Sequence, residues 1–296
     1  WGGFPWGLIA YSQLDGPLVP LATLGGQALV TGVVVIFAST LVKLLKYQKF
    51  MGLIIPLIIL GFANNVEPLA SPENITLSAV QGNVPRTGLN LETQRLTVLN
   101  NHVNMTKELL GEISAGNIAE PDLIVWPESG TDIDPLLPGV SATQITSLVS
   151  KTEIPILIGA TTWSGTLPGE IGAGPRNVGI LWTGQEGPGQ LYTKNFLVPF
   201  GEYLPLRDLL ASFITRFDQI PDDFVAGQAI GVFNIAGKLV GDVICFEVAY
   251  ANHIKETISA GAQVMVVQSN NSTFGNTAQP EQQFAITRFR AIENQR

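Results

Sequence analysis

Between Leu21 and Val42 the chain carries no charged residue, and from Gly25 onward it is dense in Val, Ile, Leu, Ala and Gly. A helix crossing the hydrocarbon of a bilayer needs about twenty such residues, so the chain is expected to fold around a membrane segment. This run also accounts for a composition that is 46% hydrophobic and only 14% charged. A second apolar run, Phe50 to Ala63, is shorter and spans only if tilted or extended by its flanks. No basic segment precedes the first run, which argues against a signal peptide. Lys43-Leu-Leu-Lys-Tyr-Gln-Lys49 joins the two runs with three lysines and no acid, and the positive-inside rule puts it in the cytoplasm. The expected organisation is a membrane region at 1–63, with spans at about 21–43 and 50–63, and a polar linker at 64–74. An extracytoplasmic domain then occupies 75–296. The chain starts at Trp1 rather than Met and stops at Arg296 inside a helical pattern, so further segments, including the rest of a truncated C-terminus, are expected at both ends.

Of 16 basic and 24 acidic residues, three lysines and Asp15 precede Asn64, leaving 13 and 23 beyond it. Such an acidic domain excludes a nucleic-acid partner, which would require a basic patch. Its hydrophobic pattern alternates between strand-like and helix-like segments. Strands are expected at 75–81, 123–126, 154–160, 177–182, 190–192, 232–235, 238–244 and 264–268, and helices at 91–113, 142–150, 248–259 and 278–294. That alternation predicts a layered α/β core, with several antiparallel pairs.

Three motifs in this domain carry chemistry. Leu123-Ile-Val-Trp-Pro-Glu-Ser129 is an apolar strand broken by Pro127, so Glu128 stands at the strand's C-terminal edge, where open α/β sheets bind ligands. In Tyr192-Thr-Lys-Asn-Phe-Leu-Val-Pro-Phe-Gly-Glu-Tyr-Leu-Pro205, Lys194 closes a strand and a stiff loop leads to Glu202. Cys245, the only cysteine, ends the strand Leu239 to Ile244, and Glu247 follows two residues later. A thiolate is the nucleophilic form of cysteine, and a nearby ammonium lowers its pKa. A carboxylate can take the thiol proton, and the ammonium with a backbone N–H can hold an oxyanion. The two histidines, His102 and His253, lie within helical patterns with no motif around them, so a Cys–His pair is not expected.

In order and spacing these motifs resemble the nitrilase superfamily, whose triad is Glu-Lys-Cys. More narrowly the chain resembles that superfamily's membrane-bound branch, the apolipoprotein N-acyltransferases. The likeness extends to Gly3-Phe-Pro-Trp-Gly7, Tyr11-Ser-Gln13, Val80-Gln-Gly-Asn-Val-Pro85 and Arg288-Phe-Arg-Ala-Ile-Glu293. It implies an α/β fold of nitrilase-like αββα sandwich type, attached to transmembrane helices, with the catalytic domain outside a cell membrane crossed several times. Carried over, Cys245 is the nucleophile, Glu128 the general base and Lys194 the oxyanion stabiliser. Glu202, Glu247 and Phe246 support them. The implied partners are a membrane phospholipid as acyl donor, a diacylated apolipoprotein as acceptor and the bilayer itself, with no metal or cofactor. Phe246 stands where many members have tyrosine, and Asn270-Asn-Ser-Thr-Phe-Gly275 where many have Asn-Asp-Ala-Trp-Phe-Gly. Thr273 thus lacks that tryptophan's substrate contact. The variant segment resembles the actinobacterial branch.

The loop from Phe196 to Ile220 is unusually apolar, with Phe196, Phe200, Tyr203 and Leu204 followed by Leu209, Leu210, Phe213, Ile214, Phe217 and Ile220. A lid lying at the bilayer interface accounts for the excess, because amphipathic segments rest at that depth. Two alternatives use the same residues. One is a membrane-tethered nitrilase-type amidase, which would need a small polar pocket. The other is a non-enzymatic membrane scaffold, against which the intact Glu128, Lys194 and Cys245 argue.

Overall fold

The computed structural model describes residues 4–47, 50–67, 74–85, 91–163, 174–184, 187–207 and 222–296. The chain divides into two units, each assembled from segments distant in sequence. One comprises Trp1–Glu73, Val248–Lys255 and Asn276–Arg296, and the other Asn74–Glu247 and Glu256–Gly275.

In the first unit, the helix α1 (Ala22–Tyr47) follows two short 3-10 turns, Ile9–Gln13 and Val19–Leu21. Its backbone breaks at Gly25 and Gly26, where Gly26 takes φ +61°, a value that favours glycine. A methyl group there would overlap Glu293 Oε1. From Gln27 to Tyr47 the regular helix rises about 31 Å at about 1.5 Å per residue, close to the thickness of a hydrocarbon core. Most of its apolar side chains are exposed, Leu41, Val42 and Leu45 among them. The second apolar run forms a 3-10 turn, Phe50–Leu53, and a short helix α2 (Ile54–Ala63). Alone, α2 rises only about 15 Å, roughly half a hydrocarbon core.

The last helix of the chain (Gln279–Asn294) belongs to this unit and packs Phe289 with Ala10, Leu14, Leu21, Val30 and Ala63. Arg290, buried in that helix, donates Nε to the Val248 carbonyl (3.0 Å) and Nη2 to Ala249 O (2.9 Å), Tyr11 Oη (2.8 Å) and Gln27 Oε1 (3.0 Å). Its Nη1 donates to Glu293 Oε2, whose other oxygen accepts the Gln27 N–H at 3.0 Å. A carboxylate therefore caps the helix where it restarts after the glycine break, satisfying a donor that no turn of helix precedes. The Arg-Phe-Arg-Ala-Ile-Glu motif thus has a structural use in this unit.

The second unit is a sandwich of two sheets. Strands β1 (Leu77–Ala79), β2 (Leu123–Val125), β3 (Ile156–Thr162), β4 (Arg176–Thr183) and β5 (Gly187–Thr193) form one sheet in chain order. The first three are parallel and the last two antiparallel. Strands β6 (Val232–Ile235), β7 (Lys238–Ile244) and β8 (Val264–Gln268) form the other. β6 and β7 join through Ala236 and Gly237, both at positive φ, as a tight hairpin turn that follows the strand twist requires. Facing side chains of both sheets, including Leu157, Leu181, Ile235, Val240 and Val266, make one apolar layer. Helices α3 (Leu91–Ser114) and α4 (Val140–Val149) cover the outer face of the larger sheet with Leu99, Val103, Ile145 and Leu148. Those positions recur at the three-to-four spacing of one helix face. Outside the smaller sheet, Thr257 of α5 (Ala251–Ser259) approaches Gly241 so closely that a methyl group would meet its Cγ2 at 2.7 Å. This is the expected αββα layering, and the helix ending at Asn294 is α6.

Every predicted strand and helix is present. The differences lie at ends: β1 is shorter than 75–81, and the helix expected from 248 begins at Ala251, because Cys245–Ala249 winds into a 3-10 turn.

Candidate active site

Glu128, Lys194 and Cys245 come from the ends of three strands, and the second unit brings them together. β2 ends at Val125, and Pro127 then prevents the ladder from continuing. The Trp126-Pro-Glu turn lies across β3 at Gly159, where a side chain would overlap the Pro127 carbonyl. Glu128 is buried and takes three hydrogen bonds, from Asn177 Nδ2 (2.7 Å) and Lys194 Nζ (3.2 Å) on Oε1 and from the Asn270 N–H (2.8 Å) on Oε2. Lys194, one residue beyond β5, has no exposed surface. Its Nζ bridges Glu128 Oε1 and Glu202 Oε1, the latter at 2.9 Å. Burial alone would push its pKa down. Glu128 and Glu202, with Cys245 close enough to contribute, more than offset this and hold it above the usual lysine range. Lys194 is therefore a fixed ammonium.

Cys245 follows β7 directly and takes φ +55°, in the left-handed region that non-glycine residues seldom occupy. The turn swings its side chain out of the ladder into the layer between the sheets, where 8% of the residue is exposed. Backbone strain of this kind gathers at functional sites. Glu247 has no exposed surface and ties the turn down. Its Oε2 accepts the Ile244 N–H (2.8 Å) and its Oε1 the N–H of Asn195 (2.6 Å) and of Phe196 (3.1 Å), while Tyr192 Oη donates to both oxygens. One carboxyl group thus locks the cysteine turn to the chain that carries Lys194. Burial raises its pKa against the pull of these backbone donors and of Lys194. Phe246 is buried beside it.

Glu202 reaches Lys194 through a tight turn. The Glu202 N–H donates to Val198 O (2.9 Å), and Glu202 Oε2 accepts the Val198 N–H (2.8 Å). Of the four residues assigned to a lid, Phe200 is exposed and held at φ +63°, Phe196 and Tyr203 are half-buried, and Leu204 is buried in the interior. Leu209, Leu210, Phe213, Ile214, Phe217 and Ile220 lie outside the described residues.

A cleft of about 330 Å³ opens beside Glu128, Asn177 and Glu202, walled also by Arg95, Asp132, Asn270, Ser272 and Thr273. Thr273 is part of this wall and keeps it polar. Burial raises the pKa of Asp132, against hydrogen bonds from Thr161 and Ser129. Both histidines are buried within helices, His102 packing on Trp126 with ring centroids 5.4 Å apart.

Sequence reasoning missed Asn177. On β4, its Nδ2 donates to Glu128 (2.7 Å) and Glu202 (2.9 Å) and so bridges the two acids beside the lysine. Its only signal was an amide at the head of an otherwise apolar strand. Asn270 was noted only as part of a variant motif, yet its backbone holds Glu128.

A carbon-nitrogen hydrolase signature matches residues 76–296, and the signature of an apolipoprotein N-acyltransferase N-terminal domain matches residues 1–40. The chain belongs to the carbon-nitrogen hydrolase family. Among curated relatives, an apolipoprotein N-acyltransferase of Mycolicibacterium smegmatis is 35% identical over 97% of this chain and 52% of its own length. One from Pseudomonas aeruginosa is 31% identical over 99% of this chain and 57% of its own, and one from Photobacterium profundum 27% identical over 98% and 56%. The chain thus spans about half the length of these relatives. In this chain the strand ends that bring Glu128, Lys194 and Cys245 together are those of β2, β5 and β7.

Proposed function

We propose that the chain carries the catalytic domain of a membrane-bound acyltransferase that moves an acyl chain from a phospholipid to the N-terminal amine of a diacylglyceryl-cysteine lipoprotein. The observation that carries this reading is a buried Lys194 ammonium held by Glu128 and Glu202 beside a strained Cys245, in a chain that also contains a membrane-length helix. The names of its relatives support the same chemistry.

In the first half-reaction Glu128 takes the Cys245 proton, and the sulfur attacks the ester carbonyl carbon of the phospholipid. Lys194 Nζ, with the Phe246 N–H, stabilises the oxyanion that forms. When the C–O bond breaks, Glu128 returns the proton to the leaving alkoxide, releasing lysophospholipid and leaving a thioester. In the second, Glu128 takes a proton from the acceptor amine as its nitrogen attacks the thioester carbonyl. The C–S bond breaks, the amide forms and the thiol regains its proton. Lys194 keeps its charge throughout, so it needs no reorganisation as the oxyanion develops. Each buried methylene of the donor contributes about 0.8 kcal/mol, so an apolar lid formed by Phe200 and its neighbours holds the chain with little polar recognition.

Incubating the full-length protein with phospholipid carrying a labelled acyl chain tests this. A hydroxylamine-labile label on Cys245, discharged by a diacylated lipopeptide, is expected. An unlabelled wild type, or equal labelling of Cys245→Ala, refutes it. Discharge by water regardless of the lipopeptide would favour the amidase.

A further inference from the structure

Asp242 lies in the middle of β7 with no exposed surface, inside the apolar layer between the sheets. It faces inward between Val240 and Ile244, on the side that packs against β4. By distance and angle neither carboxyl oxygen has a hydrogen-bond partner among the described residues, although the neighbouring Val243 N–H is close enough to pull the pKa of the group down against its burial. On β8, Gln268 is in the same position: its Oε1 is buried and unpartnered while its Nε2 donates to the Trp126 carbonyl at 2.5 Å. Both groups converge on Gly179 of β4, where a methyl would overlap Asp242 Oδ2 and stand 3.0 Å from Gln268 Oε1. Acceptors that share so small a space without a donor are costly unless one of them carries a proton.

We propose that Asp242 is a positioning residue: in its protonated form it donates a hydrogen bond to Gln268 Oε1, fixing the amide that holds the Trp126 carbonyl and, two residues on, Glu128. The role rests on the reading of Glu128 as the base. β8 then grips the Glu128 turn twice, through Gln268 on Trp126 and through the Asn270 N–H on Glu128 itself. The groups around Asp242 favour the neutral form. Tyr192 from β5 and Glu247 from the cysteine turn supply no positive charge, Gly179 of β4 has no side chain, and Gln268 of β8 is uncharged. Burial, with the like charge of Glu247, pushes the Asp242 carboxyl well above the usual aspartate range. An acid raised in the folded state holds a proton that the unfolded chain has lost. Stability therefore falls as pH rises from the ordinary aspartate range toward the folded value.

Three measurements on the full-length protein in membranes test this. Difference infrared spectra between wild type and Asp242→Asn at neutral pH are expected to show a protonated-carboxyl stretch in the wild type, and its absence overturns the proposal. Wild type should melt at progressively lower temperature as pH rises from acid to alkaline, and Asp242→Asn should show less of that fall. An unchanged profile also overturns it. Finally, the rate of Cys245 alkylation against pH, followed on its peptide by mass spectrometry, reports the Glu128 arrangement whether or not the protein is an acyltransferase. Asp242→Leu, which cannot donate, should alkylate about tenfold more slowly near neutral pH, whereas Asp242→Asn, which can, should keep the wild-type rate. Equal rates in wild type and Asp242→Leu refute positioning. An Asp242→Leu protein that does not fold leaves the first two measurements to decide. Failure of the phospholipid label alone refutes the acyltransferase reading and leaves this proposal standing.

Discussion

At the scale of the residue, Lys194 shows how the site is charged. Two carboxylates, Glu128 and Glu202, share its one ammonium, and the exposure of all three is below a tenth. Breaking such a group by removing one member leaves buried charge uncompensated, which destabilises by about 3–5 kcal/mol. Lys194→Met is therefore expected to lose Cys245 acylation and also to lower the urea midpoint of the domain. Pairing it with Glu202→Gln, which removes one orphaned charge, should recover part of the stability and none of the acylation. A single variant as stable as wild type would show that the lysine is not the keystone of the charge pair. Glu128, Lys194 and Cys245 were legible in the sequence as strand-end residues: Glu128 and Cys245 close apolar runs with residue types that such runs should exclude, and Lys194 ends a short Gln-Leu-Tyr-Thr segment ahead of a Pro/Gly-punctuated loop. Asn177 and Asp242 were not. Both are polar residues inside strands, and their purpose is set by partners distant in sequence, Glu128 and Glu202 in loops for one and Gln268 on β8 for the other.

Among the elements, the least legible is the turn Cys245–Ala249, which reads as a strand end running into a helix from Val248 but winds instead into a 3-10 turn that opens with a cysteine at φ +55°. No side chain property of cysteine calls for that conformation. It is imposed by Glu247, which binds the Ile244 N–H from within the turn and the Asn195 and Phe196 N–H groups from the loop after β5. A sequence shows the acid two residues after the thiol but not the three amides that it will hold. The strands and helices themselves were legible for the opposite reason. Their signals are local, a period of two or of three to four with turn residues between, and no distant partner is needed to produce them. Glu247→Ala would leave three N–H groups without their carboxylate partner, that of Ile244 buried and those of Asn195 and Phe196 half-buried, at about 1 kcal/mol each. Its expected outcome is a fall in stability of about 3 kcal/mol, with a Cys245 thiol that alkylates more readily as the turn relaxes. Glu247→Gln keeps one acceptor oxygen and should fall between the two. A Glu247→Ala protein with wild-type melting and alkylation would show that the carboxyl does not hold the turn.

For the whole molecule, the question is which side of a membrane the chemistry faces. α1 is the one helix among the described residues long and apolar enough to cross, from Val19 to Tyr47 with the preceding turn. Its C-terminal end carries Lys43 and Lys46, and the short loop beyond adds Lys49. Lysines at that end favour the cytoplasm, and they also complement the negative end of the helix dipole. If α1 runs inward there, its Gln27 end lies at the outer face, and the chain returns outward only if α2 and the residues flanking it complete a hairpin. α2 is too short to cross unaided, so the return depends on Phe50–Leu53, on local thinning of the bilayer or on neighbouring helices. Cysteine labelling resolves this directly. In a full-length Cys245→Ala background, with any cysteines outside this chain also replaced, Leu45→Cys tags the lysine end of α1 and Ser150→Cys an exposed site in the sandwich. A membrane-impermeant maleimide applied to intact cells or spheroplasts should react with position 150 and spare position 45 until the membrane is permeabilised. Labelling of both from the same side would mean that the apolar runs do not form a hairpin. Labelling of position 45 alone would put the sandwich in the cytoplasm, away from any acceptor already exported, and the acyl-transfer reading would have to be abandoned with it.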